Sequence, residues 1–293
     1  MTALLPPTWH PALLGVLAGA ALAYGVATSA RRVPASRGER LRFCGAIAVC
    51  YLACGWPLGD LAAHVSLSAL VLQRLLLMLA AAPLLLTALP VELVAIMTRP
   101  SAVDRASRVL MHPAVAILVV TVVGTATLVP QVVTWASSTS AAGAVVAAVT
   151  LGLGIVLWWP ILDRAPAARR LSDVAKGAYL MAASLVVTSL SFIWIFSRHV
   201  MYPSYSHQMA VLGLSAIDDQ QLAGYIAKFG AYLPLWTAAF VLFVRAADEP
   251  PTPEEAPLRW VDVQRELERV ERDERRTHVP PASAPGEAGT PAP

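Results

Sequence analysis

The sequence predicts an all-α, polytopic membrane protein with seven transmembrane helices. Of its 293 residues, 57% are hydrophobic and only 14% are charged, whereas soluble domains have about 25% charged residues. Seven apolar segments are each close to the roughly 20 residues that a helix needs to cross a bilayer. Basic residues concentrate in alternate connections between these segments. This alternation predicts that the N-terminus is outside and the C-terminus is cytoplasmic.

The seven segments follow one another between residues 11 and 245. Their predicted bounds are 11–30, 43–62, 67–90, 113–133, 141–162, 177–197 and 222–245. The fourth is expected to end or kink near Pro130, because proline removes a helical hydrogen bond. The last helix is expected to begin near Ala216, since Ser215 and Asp218 have the spacing of a capping box.

The charge alternation is the basis of the predicted orientation. The connections after the first, third and fifth segments share twelve basic residues: Arg31, Arg32, Arg37, Arg40, Arg42, Arg99, Arg105, Arg108, Arg164, Arg169, Arg170 and Lys176. The connections after the second and fourth segments contain no lysine or arginine, and the one after the sixth contains only Arg198. By the positive-inside rule the first group is cytoplasmic.

Composition divides the chain into two parts. Residues 1–245 are predicted to form the transmembrane domain, and residues 246–293 a cytoplasmic, proline-rich acidic tail with one short helix and much disorder. The charge distribution does not favour nucleic-acid binding. The N-terminus lacks the basic stretch of a cleaved signal peptide. No nucleotide-binding, serine-hydrolase or zinc-protease motif is present, so the sequence does not predict an enzyme.

The third segment contains an arginine within an otherwise apolar run, SLSALVLQRLLLMLAAAPLLLTALP. A charge at this depth is unfavourable unless it is paired or solvated, so Arg74 indicates a polar place inside the bundle. Asp60 and Asp219 are the candidate partners. The alternative is that Arg74 binds an anionic group, such as a haem propionate or a lipid phosphate. A purely structural ion pair would also explain the residue.

Several short motifs occur in order on these segments. They are WPLGDLAAH (56–64), LQRLLLMLAAAPLLLTALP (72–90), HP (112–113), WWPILD (158–163), YPSY (202–205) and DDQQLAGYIAKF (218–229). In this order on a seven-span bundle, they resemble the CtaG-type cytochrome c oxidase assembly factors. The resemblance runs from about residue 10 to residue 245, and the DQQLAG block with its upstream YPSY is its most specific part.

The resemblance implies a multi-pass protein of the bacterial inner membrane that acts as a chaperone in respiratory-chain biogenesis. Members of that family are thought to help mature haem–copper oxidases, by delivering copper to the binuclear centre. The implied partners are an oxidase subunit and the lipid bilayer, and copper is the only cofactor suggested. The family's H-M-x-Q-H motif aligns with residues 70–74, where this chain keeps only Gln73. Arg74, which replaces the last histidine, would repel copper.

Other residues could supply copper ligands. Cys50 and Cys54 are four residues apart and share one helix face, with His64 farther along the chain. Thiolates suit Cu(I), although cysteines in apolar helices often pack as small hydrophobic residues. His199, Met201, His207 and Met209 all lie in the connection after the sixth segment. The alternative for this connection is a solvated loop anchored at the interface by Tyr202 and Tyr205.

The sequence therefore leads to two functional hypotheses. The first is a membrane assembly factor for a haem–copper oxidase, with copper delivery as one candidate mechanism. The second is a small-anion carrier or receptor-like bundle that uses Arg74. The predicted polar site, common to both, comprises Gln73, Arg74, Asp60, Asp219 and Gln220.

Overall fold

A computed structural model describes residues 9–29, 33–162, 171–206, 213–248, 264–265 and 267–272. Within these ranges every regular element is a helix, so the all-α prediction is confirmed. The helices are α1 (Pro11–Ser29), α2 (Arg37–Cys54), α3 (Leu58–His64), α4 (Leu67–Leu75), a π-helical segment (Leu76–Ala81), α5 (Ala82–Ala88), α6 (Val91–Met97), α7 (Ser101–Leu110), α8 (Pro113–Ala126), α9 (Pro130–Ser138), α10 (Ser140–Trp158), α11 (Asp173–Val187), α12 (Leu190–Phe196), α13 (Pro203–Ser206) and α14 (Ala216–Asp248).

Among the described residues, four helices are long and apolar enough to cross a membrane. They are α1, the continuous helix Leu67–Ala88, α10 and α14. Three bent pairs raise the number to at most seven: α2 with α3 at 41°, α7 with α8 at 93°, and α11 with α12 at 42°. The seven-span count and the orientation of the termini stay predictions.

The structure changes the predicted bounds of two segments. The second begins at Arg37, earlier than expected, because Ser36 and Glu39 form a capping box at its start. The fourth breaks before Pro130: α8 ends at Ala126, and Pro130 is the first residue of α9. Proline is well tolerated at that position, since the first N–H groups of a helix have no partner within it.

Other local predictions agree with the structure. The last helix begins at Ala216, and the Ser215 hydroxyl donates to the Asp218 carboxylate over 2.6 Å while accepting from the Asp218 N–H. This helix then continues for 33 residues through Pro234.

The bundle is packed through small side chains. Fully buried alanines from several helices include Ala46, Ala81, Ala82, Ala116 and Ala183. Without a hydrophobic driving force between helices, close contact through small residues is the usual basis of packing in a bilayer. The largest cluster joins α5, α8, α10, α11 and α14, and a second cluster joins the start of α4 to α12–α14.

One close approach lies between α10 and the π-helical segment. A Cβ added at Gly154 would lie 2.7 Å from the Met78 Cα, so a larger residue does not fit there. Close by, the Trp158 indole N–H donates to the Met78 carbonyl over 3.0 Å. The two contacts hold the third and fifth predicted spans together at Met78.

The chain divides into two units, residues 1–247 and 248–293. In the second unit, residues 264–265 and 267–272 are described and are helical. The predicted disorder of the tail falls largely on residues outside the described ranges. The division into a transmembrane domain and a cytoplasmic tail stays a prediction.

Candidate functional site

The Arg74 guanidinium binds the end of another helix. Its Nη1 donates to the Thr127 hydroxyl over 2.7 Å, and its Nη2 donates to the Thr127 carbonyl over 2.9 Å. Thr127 directly follows the last residue of α8. A helix C-terminus carries about half a negative charge and leaves its last carbonyls without partners. Arg74, which is 8% exposed, therefore caps α8 where that helix breaks.

The expected ion pair of Arg74 with Asp219 or Asp60 is not formed. Among the described residues, no carboxylate oxygen lies within 4.0 Å of the Arg74 guanidinium. Asp60 instead lies 3.4 Å from the His10 imidazole. The reason is geometric: the break in α8 offers Arg74 two acceptors on one residue, and Asp219 is bound elsewhere.

Asp219 caps the start of α4. Its carboxylate accepts from the Leu67 N–H over 2.7 Å, from the Ser66 hydroxyl over 2.7 Å and from the Ser68 hydroxyl. The carboxylate is only 1% exposed. A negative charge at a helix N-terminus is stabilised by the unpaired N–H groups and the helix dipole. Asp219 thereby fastens the first turn of α14 to the beginning of the third predicted span.

The two predicted glutamines also bind backbone. Gln73 donates to the Ala53 carbonyl over 3.0 Å, near the end of α2. Gln220 accepts from the Met201 N–H over 2.8 Å and donates to the His199 carbonyl over 3.2 Å. The five predicted polar residues therefore do not meet at one point. They connect helix ends and the connection that follows α12.

Tyr202 and Tyr205 are buried, which corrects the prediction of solvated interfacial anchors. Each is 4% exposed. Tyr202 donates to the Leu128 carbonyl over 2.6 Å, and Tyr205 donates to the Ala62 carbonyl over 2.8 Å. Burial raises the pKa of both phenols, and Arg74 opposes that increase. They remain protonated donors at physiological pH. Tyr202 and Arg74 together satisfy two successive carbonyls in the break after α8.

The predicted copper ligands are dispersed. Cys50 packs in an apolar cluster with Ala53, Leu77 and Ala81, while Cys54 is half-buried. His64 and His199 are exposed. His207 and Met209 lie outside the described residues. In the described part of the chain, no three histidine, cysteine or acidic side chains lie together where they could hold a metal ion. A copper site stays a prediction.

Sequence reasoning missed the partners of Arg74 and Asp219. Ser66 and Ser68 precede and open the third predicted span, and a serine at this position is a usual helix-start signal that could have identified the Asp219 contact. No local pattern singles out Thr127 as the partner of Arg74, because the two residues are 53 positions apart.

The comparisons with known proteins agree with the resemblance in the sequence. A family model described as cytochrome c oxidase caa3 assembly factor (Caa3_CtaG) matches residues 20–249, more than three quarters of the chain. Searches of curated proteins and of solved structures found no match. The matched range begins within α1 and ends just after α14, and it includes both capping contacts described above. The chain therefore belongs to the family of cytochrome c oxidase caa3 assembly factors.

Proposed function

We propose that this protein supports the assembly of a cytochrome c oxidase from within the bacterial inner membrane, in a non-catalytic role. The family match over residues 20–249 is the observation that carries the proposal. The apolar helices described above are consistent with an action inside the bilayer. Its direct partner would be a subunit of the oxidase.

The residues that carry the resemblance suggest which part of the molecule the partner meets. Side chains of Asp219, Gln220, Tyr202 and Tyr205 join the start of α14 and residues 199–205 to the start of α4 and the ends of α3 and α8. Fixed loops at one end of a bundle make a pre-organised surface, which lowers the entropy cost of binding. We propose that this end of the bundle, on the outer side of the membrane, contacts the oxidase subunit.

A gene deletion tests the assembly role. In the organism that encodes this chain, deletion is expected to reduce the haem absorption and the activity of the oxidase in isolated membranes. Expression of the intact chain from a plasmid should restore both. Normal oxidase spectra and activity in the deletion strain, including under copper limitation, would contradict the proposal.

Copper delivery is the finer part of the proposal, with copper as cargo. Cys50 and Cys54 lie on one helix, and His199 is exposed in the connection where His207 and Met209 also occur. Thiolate, thioether and imidazole groups are suitable copper ligands. The support for copper delivery is the chemistry of these side chains.

The copper content of the purified protein tests this part. Copper delivery predicts about one Cu(I) per chain after loading under reducing conditions, and its loss in Cys54→Ser or His207→Ala. Cys44→Ser is the matched control, because Cys44 is exposed and outside the proposed ligand set. No bound copper at any loading would contradict delivery and leave the assembly role standing.

The second hypothesis from the sequence, a small-anion carrier or receptor, has one observation in its favour. Arg74 has no carboxylate partner among the described residues. That observation concerns binding and does not by itself favour transport.

A further inference from the structure

A cavity opens inside the bundle beside Arg74. Five parts of the bundle surround it: α4 together with the π-helical segment, α8, α10, the α11–α12 pair, and α14. Its polar lining residues are Arg74, Thr121, Thr125, Thr188, Ser191 and Trp194, and the rest of the wall is apolar. The volume open to a water molecule is about 100 Å³, several times the roughly 10–15 Å³ that one water requires. The cavity can therefore hold a group much larger than a single water.

Three irregular stretches of backbone border this cavity. Leu128 lies in the break after α8, Thr188 lies in the break between α11 and α12, and Met78 belongs to the π-helical segment. Within a bilayer, irregular backbone is tolerated where it is buried in protein or lines a cavity. π-Helical turns are also frequent at functional sites. All three irregular stretches therefore border the same cavity.

Two hydrogen-bond donors on the residues that line the cavity have no partner. Among the residues that line it, the Arg74 Nε and the Thr121 hydroxyl are buried without a hydrogen bond. Arg74 is 8% exposed. Buried donors without acceptors are unfavourable and uncommon in folded proteins. Their positions indicate an acceptor that enters this space from outside the chain.

The cavity also lies beside two buried positive charges. Arg74 lines it directly, and the Lys228 ammonium donates to Thr188 over 3.2 Å while lying 4.1 Å from the centre of the Phe192 ring. No described carboxylate lies within 4.0 Å of either cation. The end of α8 supplies only about half a negative charge to Arg74. The site therefore carries positive charge that the described residues do not neutralise.

We propose that this cavity binds an apolar molecule with an anionic head group, either a long-chain carboxylate or a phosphatidate. The head group accepts from the Arg74 Nε and from the Thr121 hydroxyl. The apolar body lies along the leucine and valine wall, and the molecule enters beside Thr125, which is exposed on the bundle surface. This binding does not depend on the oxidase role, because it is a property of the purified chain.

Binding to the delipidated protein in detergent tests the proposal, with oleate, methyl oleate and dioleoyl phosphatidate as probes. We expect oleate or phosphatidate to bind once per chain by isothermal titration calorimetry. Methyl oleate has the same chain without the charge and should bind at least about tenfold more weakly than oleate, a change of about 1.4 kcal/mol. Binding of phosphatidate alone would assign a phosphate head group, and binding of oleate a carboxylate. Binding of neither anion would overturn the proposal.

Two variants locate the site. Arg74→Gln should weaken binding at least about tenfold. Arg42→Gln is the matched control, since Arg42 also donates to a helix carbonyl, that of Thr87 over 3.2 Å, but is exposed and does not line the cavity. Unchanged affinity in Arg74→Gln would overturn the proposal.

Gly124→Leu tests the cavity without altering Arg74, in case the arginine variant does not fold. A Cβ at Gly124 would lie 3.8 Å from the Leu153 side chain, an ordinary contact, so a leucine can begin there and extend into the space. We expect loss of oleate binding with the unfolding temperature preserved. Full binding by a folded Gly124→Leu protein would place the ligand elsewhere and contradict the inference.

Discussion

Arg74 and Thr127 together make a buried arginine compatible with a membrane helix. The guanidinium satisfies a hydroxyl and a carbonyl at the end of α8, and that helix end supplies the partial negative charge. The Thr127 hydroxyl also donates to the Gly124 carbonyl over 2.7 Å. One threonine thus accepts from the cation and donates to its own helix.

Replacing Thr127 with valine should destabilise the protein by about 1–3 kcal/mol, because one buried N–H of Arg74 loses its acceptor. The measurement is chemical or thermal unfolding in detergent. Thr134→Val is the control: its hydroxyl donates to the Pro130 carbonyl over 2.9 Å at an exposed position. Equal losses in the two variants would show that the contact with Arg74 contributes nothing.

At the scale of helices, α10 packs closely against the π-helical segment. Gly154 lies against the Met78 backbone, where a Cβ would come within 2.7 Å. At Gly152, two residues earlier on the same helix, a Cβ would meet no atom within 4 Å. Both glycines lie between aliphatic residues, but only Gly154 is in close contact with another part of the bundle.

Gly154→Ala is therefore expected to cost about 1–3 kcal/mol, the usual range for overpacking. Gly152→Ala should be neutral or slightly stabilising, because alanine has the higher helix propensity. Unfolding of both variants in the same detergent gives the comparison. Similar stability of the two proteins would contradict the close packing at Met78.

For the molecule as a whole, the number of membrane crossings depends on α8. Its 14 residues span about 21 Å at 1.5 Å per residue, less than the roughly 30 Å of the hydrocarbon core. A complete crossing would need a neighbouring helix as a continuation: either α7, which is bent by 93° from α8, or α9, with the break at 127–129 inside the membrane. Arg74 and Tyr202 supply donors to this break.

Seven crossings place the two termini on opposite sides of the membrane. Alkaline phosphatase, active only outside the cytoplasm, should be active when fused before residue 9 and inactive when fused after residue 293. A fluorescent protein that folds only in the cytoplasm should give the reverse pattern. Both termini on the same side would mean an even number of crossings and would contradict the seven-span prediction.

The sequence by itself determined the helical class, the family and several helix starts. Apolar segments of membrane length and a capping box at Ser215 are local patterns, and local patterns are readable because they involve residues a few positions apart. The sequence also identified Arg74 as a buried charge, because it lies within an apolar run, and named Asp219 as a candidate partner.

Only the tertiary structure decided what these charges bind. The sequence paired Arg74 with a carboxylate, whereas the fold directs it to Thr127, and it directs Asp219 to the start of α4. Both charges bind hydroxyl and backbone groups at helix ends. The backbone groups are free to bind a side chain only where a helix begins or breaks. The positions of such breaks depend on how helices that are far apart in the sequence pack together. The contacts at the breaks, and the cavity beside them, are therefore determined by the tertiary structure.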